Sequence, residues 1–361
     1  MRNLLTTLLL TLLCCFVKAA VQEPALLPMP QKVVYTGKYA KAANPVKEKI
    51  VGSINRAVFQ DEAYHIVVGQ NETLVEATTE RGLYWARQTL AQLTIDNKGK
   101  KTLPQCEITD WPAFRIRGYM HDTGRSFIPF DELKKEIEIL SRFKINTFHW
   151  HLTENQAWRM ESKLYPQLNA AKNMERDKGK FYTLKQAAEL ADFCRAHNMT
   201  LIPEIDMPGH SAAFERTFGF GMQTEEGKRI MKDIISEVCD AIDVPWLHIG
   251  TDEVQFTDPT FVPDMVAYVR SKGKKVISWN PGWKYKPGEI DMTQLWSYRG
   301  KAQPGIPAID CRYHYANHFD NYADLVALFN SRIYNQPMGS DDLAGCIVAF
   351  WNDRNIDNTR Q

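Results

Sequence analysis

From residue 116 to residue 351 the chain repeats one unit, a short apolar β-rich run followed in most cases by a stretch of helical periodicity. The runs fall at 117–121, 146–152, 200–205, 246–249, 275–279, 293–296, 308–313 and 346–351. Between them, Leu133, Ile137 and Leu140 mark one apolar stripe, Leu184, Ala188, Ala191 and Cys194 a second, and Ile230, Ile234 and Val238 a third. Thr183-x-x-Gln186 is a capping box that opens the second of these helices, and Gly273 is placed to close a helix over 263–271. Strands alternating with helices pair in parallel through right-handed crossovers. Eight of them predict closure into a (β/α)₈ barrel. The alternative is an open doubly wound sheet, but no glycine-rich phosphate loop follows a strand, which counts against it. Between the fifth and sixth runs the chain is too short for a full helix.

What precedes the repeat is different. Residues 32–36 and 63–68 read as strands and 79–93 as a helix, with Leu83, Ala86, Leu90 and Leu93 at helical spacing. The expected fold class is therefore α/β: a TIM-type barrel over 113–361 preceded by a small non-catalytic α+β domain over 20–112. Residues 1–19 read as a signal peptide. Arg2 precedes a leucine-rich run that is too short to span a bilayer, and Val17-Lys18-Ala19 fits a small-residue cleavage site. This predicts export, to the periplasm, the cell surface or the medium. Lys+Arg 44 against Asp+Glu 43 gives a net charge of +1, which excludes a basic nucleic-acid footprint. Beyond that segment Cys106, Cys194, Cys239, Cys311 and Cys346 are scattered and odd in number, so they form no disulfide framework and are expected as buried thiols.

In such barrels the chemistry sits at the C-terminal ends of the strands. Those ends carry Asp122-Thr123-Gly124-Arg125, then His149-Trp150-His151 running to Glu154-Asn155, then Glu204-Ile205-Asp206 leading to His210, then Asp252-Glu253. The fifth, sixth and eighth runs end on Trp279, Trp296 and Trp351. Carboxylates, histidines and an arginine walled by indoles suit a sugar, whose C–H faces stack on aromatic rings while its hydroxyls meet charged groups. Blander readings stand beside this one. An Asp-Glu dipeptide is usually a solvated pair, and three tryptophans can be plain packing. His149 and His151 share one strand face, which suits either a metal or, more often, hydrogen-bonded core histidines.

At these residues the chain resembles the family 20 glycoside hydrolases, the β-N-acetylhexosaminidases, of the bacterial secreted type. The resemblance lies in the ordered blocks 117–125, 148–153, 202–210 and 248–253, and the small leading domain resembles that family's non-catalytic α/β domain. It implies an exo-acting hydrolase of glycans with terminal β-linked N-acetylglucosamine or N-acetylgalactosamine, with no cofactor and no metal. It further implies a substrate-assisted retaining mechanism, in which the sugar's acetamido oxygen is the nucleophile and an oxazolinium ion the intermediate. On the matching positions Glu253 is the proton donor and Asp252 the acetamido partner, diverging as neighbours on a strand end do. Arg125, Glu154, His210, Trp279, Trp296, Tyr315, Asn317, Trp351 and Asp353 become substrate-binding residues. The chain departs from the family pattern at Glu154 and Asn155, where two aspartates are usual, and at Asn317, where a carboxylate is. The family also continues past the last strand with a closing helix, so the sequence is expected to be incomplete at its C-terminus. Two competing readings are a non-catalytic amino-sugar-binding protein on the same fold, and a metal-dependent barrel hydrolase using His149, His151 and His210.

Overall fold

The computed structural model describes residues 23–41, 44–97, 100–317 and 323–354; the signal-peptide segment lies outside them. The chain divides between Pro112 and Ala113 into two compact units.

Among its described residues the first unit is a five-stranded sheet with one α-helix. Strands β1 (Lys32–Tyr39), β2 (Val46–Ile50), β3 (Tyr64–Val68), β4 (Thr73–Ala77) and β7 (Pro104–Asp110) lie in the order β1-β7-β3-β4-β2, and β5 (Ile95–Asn97) and β6 (Lys100–Thr102) form a separate hairpin. Helix α1 (Glu80–Leu93) is capped by Thr79, whose hydroxyl accepts from Gly82 N–H at 3.2 Å. Alternate residues of β3, β4 and β7 (Tyr64, Ile66, Val75, Ala77, Cys106, Ile108) bury against Leu83, Trp85, Ala86 and Leu93 of α1. Period-2 burial on the strands thus meets period-3.6 burial on the helix.

The second unit is the closed parallel barrel that the repeat predicts. Its strands are β8 (Ile116–Asp122), β9 (Thr147–His151), β10 (Thr200–Glu204), β11 (Trp246–His248), β12 (Lys275–Asn280), β13 (Met292–Leu295), β14 (Ala308–Asp310) and β15 (Leu343–Phe350), and β15 pairs back onto β8. The long helices α2 (Phe130–Arg142), α3 (Leu184–Ala196), α5 (Glu225–Ala241) and α6 (Phe261–Ser271) follow β8, β9, β10 and β11. The capping box on α3 is formed with both of its hydrogen bonds. After α6, Gly273 takes φ +76 and donates to Arg270 O at 2.9 Å, the left-handed stop its position predicts. No helix joins β12 to β13, as the short connection requires. A seven-residue helix, α4 (Ala212–Phe218), enters after β10, and the short α7 (Leu325–Asn330), with no buried residue, precedes β15. The unit has two apolar cores. One lies between strands and helices, around Phe148, Trp150, Leu190, Ile234 and Val266. The other fills the barrel with Met120, Ile202, Ile277, Trp279, Ile309 and Ile347. Cys106, Cys194, Cys239, Cys311 and Cys346 are buried free thiols. Among the described residues no helix is long and apolar enough to cross a membrane.

Candidate active site

The C-terminal strand ends open onto one cavity, lined by Arg125, His151, Glu154, Asp206, His210, Asp252, Glu253, Trp296, Tyr315, Trp351 and Asp353. Nine of these are residues the sequence singled out for substrate or catalysis, gathered from segments up to 228 positions apart (Arg125 to Asp353).

Arg125 forms the charged floor. Asp122, fully buried at the end of β8, accepts its N–H at 3.0 Å and its Nη1 at 2.9 Å. Its Nη2 lies 2.6 Å from Glu154 Oε1 and its Nε 3.7 Å from Asp353 Oδ1. The guanidinium carbon stands 5.2 Å from the Trp351 ring centroid. Burial works against the charge on Arg125, but three carboxylates outweigh it and hold the guanidinium firmly protonated. A fork held this way has its plane fixed before any ligand arrives, which is what recognition of vicinal hydroxyls needs.

Beneath the cavity lies a buried hub. Glu204, at the end of β10, takes His149 Nε2 at 2.8 Å and His151 Nδ1 at 2.7 Å on Oε2. Its Oε1 accepts Trp279 Nε1 at 2.7 Å, with His248 Nδ1 at 3.2 Å. Burial alone would raise the Glu204 carboxyl, but His151, His248 and His149 hold it well below the usual range. For His151, burial opposes the charge and Glu204 more than restores it, raising it to about 9; for His149 burial prevails and lowers it to about 4. The His-Trp-His pair is therefore one charged and one neutral imidazole on a single carboxylate.

Above the hub, His210 ties the acidic groups together. Its Nδ1 is 2.6 Å from Glu154 Oε1, and its Nε2 is 3.7 Å from Asp252 Oδ2 and 3.5 Å from Glu253 Oε2. Burial opposes protonation of His210, but its close contacts with the Asp252 and Glu154 carboxylates push it up to about 12. Glu154 is held below its ordinary value: burial would raise it, and His210 and Arg125 outweigh that. Asp206 goes the other way, raised well above the carboxylate range by burial and by the charge of Asp252.

Three expectations are corrected here. Trp279 does not wall the cavity. It is 1% exposed, inside the barrel, and its N–H is engaged by Glu204. Asn317 does not reach the cavity either. Its amide donates to Trp351 O and accepts Trp351 N–H at 2.8 Å, a two-way clamp that a carboxylate, having no donor, cannot make. Asp252 and Glu253 diverge for a different reason than strand alternation, because β11 ends at His248 and the pair lies on a loop with φ +87 at Thr251 and +45 at Glu253. The turn buries Asp252 at 8% exposure and leaves the Glu253 side chain 57% exposed. The sequence reading assigned no role to Asp206, and it weighed His151 only as a core or metal residue. Nor do His149, His151 and His210 converge as a metal set. Each falls in a different acidic grouping: His149 with Glu204 and His248, His151 with Glu204 and Asp206, His210 with Asp206 and Asp252.

The remaining walls are aromatic. Trp296 donates Nε1 to Pro281 O at 2.7 Å, and the Tyr315 hydroxyl donates to Trp296 O at 3.0 Å. Trp351 stands 5.9 Å from Tyr315, ring centre to ring centre. Among the residues lining this cavity, His151 Nε2, Asp206 Oδ2, Asp252 Oδ1 and Trp351 Nε1 are buried with no hydrogen-bond partner, and Glu154 Oε1 and His210 Nδ1 have only their ion-pair contacts.

Comparison with known proteins places this arrangement. The profile for "Glycosyl hydrolase family 20, catalytic domain" matches residues 114–219 and that for "Glycosyl hydrolase family 20, domain 2" matches residues 31–111. A beta-hexosaminidase of Porphyromonas gingivalis is 34% identical over 228 residues, covering 54% of this chain and 29% of the relative. A beta-N-acetylhexosaminidase of Cellulomonas fimi is 30% identical over 288 residues, covering 70% of this chain and 57% of the relative. The chain thus spans between 29% and 57% of the length of these two relatives. Among solved structures, a GH20 exo beta-N-acetylglucosaminidase from Vibrio harveyi in complex with N-acetylglucosamine superposes with TM-score 0.82 at 20% identity, over 95% of this chain and 72% of that one. A beta-N-acetylhexosaminidase from Bacteroides fragilis gives TM-score 0.75 at 23% identity, over 91% and 85%.

Proposed function

Because the chain belongs to glycosyl hydrolase family 20, we propose that it removes terminal β-linked N-acetylglucosamine or N-acetylgalactosamine from glycans, acting from the non-reducing end with retention. The observation that carries this reading is Asp252 Oδ1, an acceptor buried at the cavity with no donor. A buried unpaired acceptor costs stability unless a ligand satisfies it. An amide N–H beside the anomeric carbon is such a donor; a simple glucoside offers a hydroxyl there, but no acetamido oxygen to act as the nucleophile.

The chemistry follows from where the side chains stand. The sugar ring sits between Trp351, Trp296 and Tyr315 with its far hydroxyls on Arg125, Glu154 and Asp353. Arg125, pinned by its three carboxylates, closes that end, which suits a terminal residue. Asp252 takes the acetamido N–H, so that the acetamido oxygen faces the anomeric carbon and attacks it. The glycosidic C–O bond breaks as Glu253 gives its proton to the leaving oxygen, and an oxazolinium ion forms. Glu253, now a carboxylate, takes a proton from water, whose oxygen opens the ring and restores the β-configuration. The His210 imidazolium, 3.5 Å from Glu253 Oε2, faces the charge that Glu253 acquires on losing its proton. Asp252 faces the positive charge that develops on the substrate. Export to the periplasm, cell surface or medium is part of this proposal, supported by the N-terminal sequence.

The test is hydrolysis of 4-nitrophenyl N-acetyl-β-glucosaminide and N-acetyl-β-galactosaminide beside the glucoside and galactoside. The acetamido sugars should be turned over orders of magnitude faster in kcat, since the others lack a reacting group. Equal kcat on both classes refutes the proposal.

A further inference from the structure

The cavity of the sugar site continues outward. A second cavity of about 590 Å³ shares Glu253, Trp296 and Tyr315 with it and extends over Tyr298, Arg299, Arg312 and Tyr313. Tyr298 and Tyr313 are 69% and 63% exposed, two large aromatic faces turned to solvent at its walls. The two arginines are not equivalent. Arg312 holds both oxygens of buried Asp310, at 2.9 and 3.0 Å, so its charge is matched. Arg299 donates Nε to the Tyr298 hydroxyl at 3.2 Å, with its guanidinium carbon 5.5 Å from that ring, and meets no carboxylate among the described residues. Glu253 is the one carboxylate among the residues lining this cavity. A neighbouring cavity shares Pro281 and Arg299 and adds Lys284 and Lys301, so the field on this side is positive.

Glu253 delivers its proton to the leaving oxygen, so the leaving sugar lies against it, outside the sugar site. A third cavity also borders Glu253, on the His210 side, but no tryptophan, tyrosine, phenylalanine, lysine or arginine lines it. The Tyr298–Arg299 side alone offers a stacking face, an oriented guanidinium and continuity through Trp296 and Tyr315. We propose that this cavity receives the leaving-group sugar, and that Arg299 selects glycans in which that sugar carries an oxyanion, a carboxylate or a sulfate ester. The Tyr298 and Tyr313 faces support the ring and Arg299 meets the anion by a charge-assisted fork. This rests on the hydrolase reading above, which sets Glu253 at the leaving oxygen.

The experiment compares kcat/KM for three disaccharides with terminal β-linked N-acetylglucosamine, on glucose, on glucuronic acid and on glucose 6-sulfate. A single exposed ion pair should favour an anionic disaccharide about two- to fivefold at low salt, and the preference should shrink toward one at about 0.5 M salt. Arg299→Ala should collapse the ratio and Arg299→Lys should keep part of it. A gain with either anionic sugar supports the site and identifies its oxyanion. A wild-type ratio at or below one, or a ratio that survives in Arg299→Ala, overturns it. The nitrophenyl N-acetylglucosaminide separates the two levels: if it is not cleaved the hydrolase reading fails, and if it is cleaved while the ratio is one, only the selection by Arg299 fails.

Discussion

Glu204→Gln is the substitution whose effect the structure specifies most fully. Glu204 is 0% exposed, and its oxygens collect His149, His151, Trp279 and His248. The amide keeps the shape but removes the charge that raises His151 to about 9 from its ordinary 6.5. That difference corresponds to about 3 kcal/mol, at about 1.4 kcal/mol for each tenfold change in proton affinity. His151 has a raised value in the folded state, so its contribution is fully present below pH 6.5 and is lost as pH rises through about 9. Glu204 has a depressed value, so its own contribution is lost only at acid pH, as pH falls through its folded value. Urea unfolding followed by tryptophan fluorescence should therefore find Glu204→Gln less stable by about 3 kcal/mol at pH 6. The gap between the two proteins should close by most of that amount toward pH 10. In parallel, the His151 ring resonance should titrate near 9 in the parent protein and well below that in the variant. A stability gap that is constant from pH 6 to pH 10, or that widens, would refute the assignment of the charge to this pair.

Three further outcomes follow from the same geometry. Glu253→Gln should lower kcat about 10²- to 10⁴-fold on substrates with poor leaving groups, while N-acetylglucosamine still binds; unchanged turnover would remove Glu253 as proton donor. Asp252→Asn should weaken a thiazoline analogue of the cyclised intermediate far more than it weakens N-acetylglucosamine, because only the protonated analogue carries positive charge; equal weakening by calorimetry would argue against that role. Dialysis against a chelator should leave activity intact, since His210, pushed up to about 12, sets an imidazolium beside Asp206 and Asp252; loss restored by zinc would reopen the metal reading.

The barrel was legible because its strands are largely buried on both faces around short apolar stretches, as at Leu201-Ile202-Pro203 in β10, and lie between helices with clear stripes and caps. Strand β2 was not legible. Val-Lys-Glu-Lys-Ile is an edge strand with every residue exposed, so no burial pattern is written into it. Helix α4 has seven residues, too few for a stripe to repeat. In the site, periodicity tells which way a side chain faces but not how deep it sits along the barrel axis. Trp296 and Trp351 each follow the last residue of their strand and reach the cavity, whereas Trp279 precedes the end of β12 and lies in the layer beneath. Asp206 escaped notice because its importance arises from Asp252, 46 positions away and brought beside it only by β10 pairing with β11.

The loop from Gly250 to Glu253 shows why that pairing matters. Gly250 has φ +67, and a Cβ there would stand 1.7 Å from Asp206 Oδ1, so only glycine lets the two strand ends approach. Thr251, β-branched and at φ +87, is strained by about 1–3 kcal/mol. Its hydroxyl is held by Ser278 Oγ at 2.6 Å, which the Tyr285 hydroxyl in turn reaches at 3.0 Å. This turn drives Asp252 inward beside Asp206 and swings the Glu253 side chain out to the exposed side. Two carboxylates forced this close do not both ionise readily in a buried site. Of the two, Asp206 is pushed well above the ordinary range, by burial and by the charge of Asp252. Asp206 thus bears on the site through its neighbour Asp252, a closeness that only the Gly250 turn makes possible.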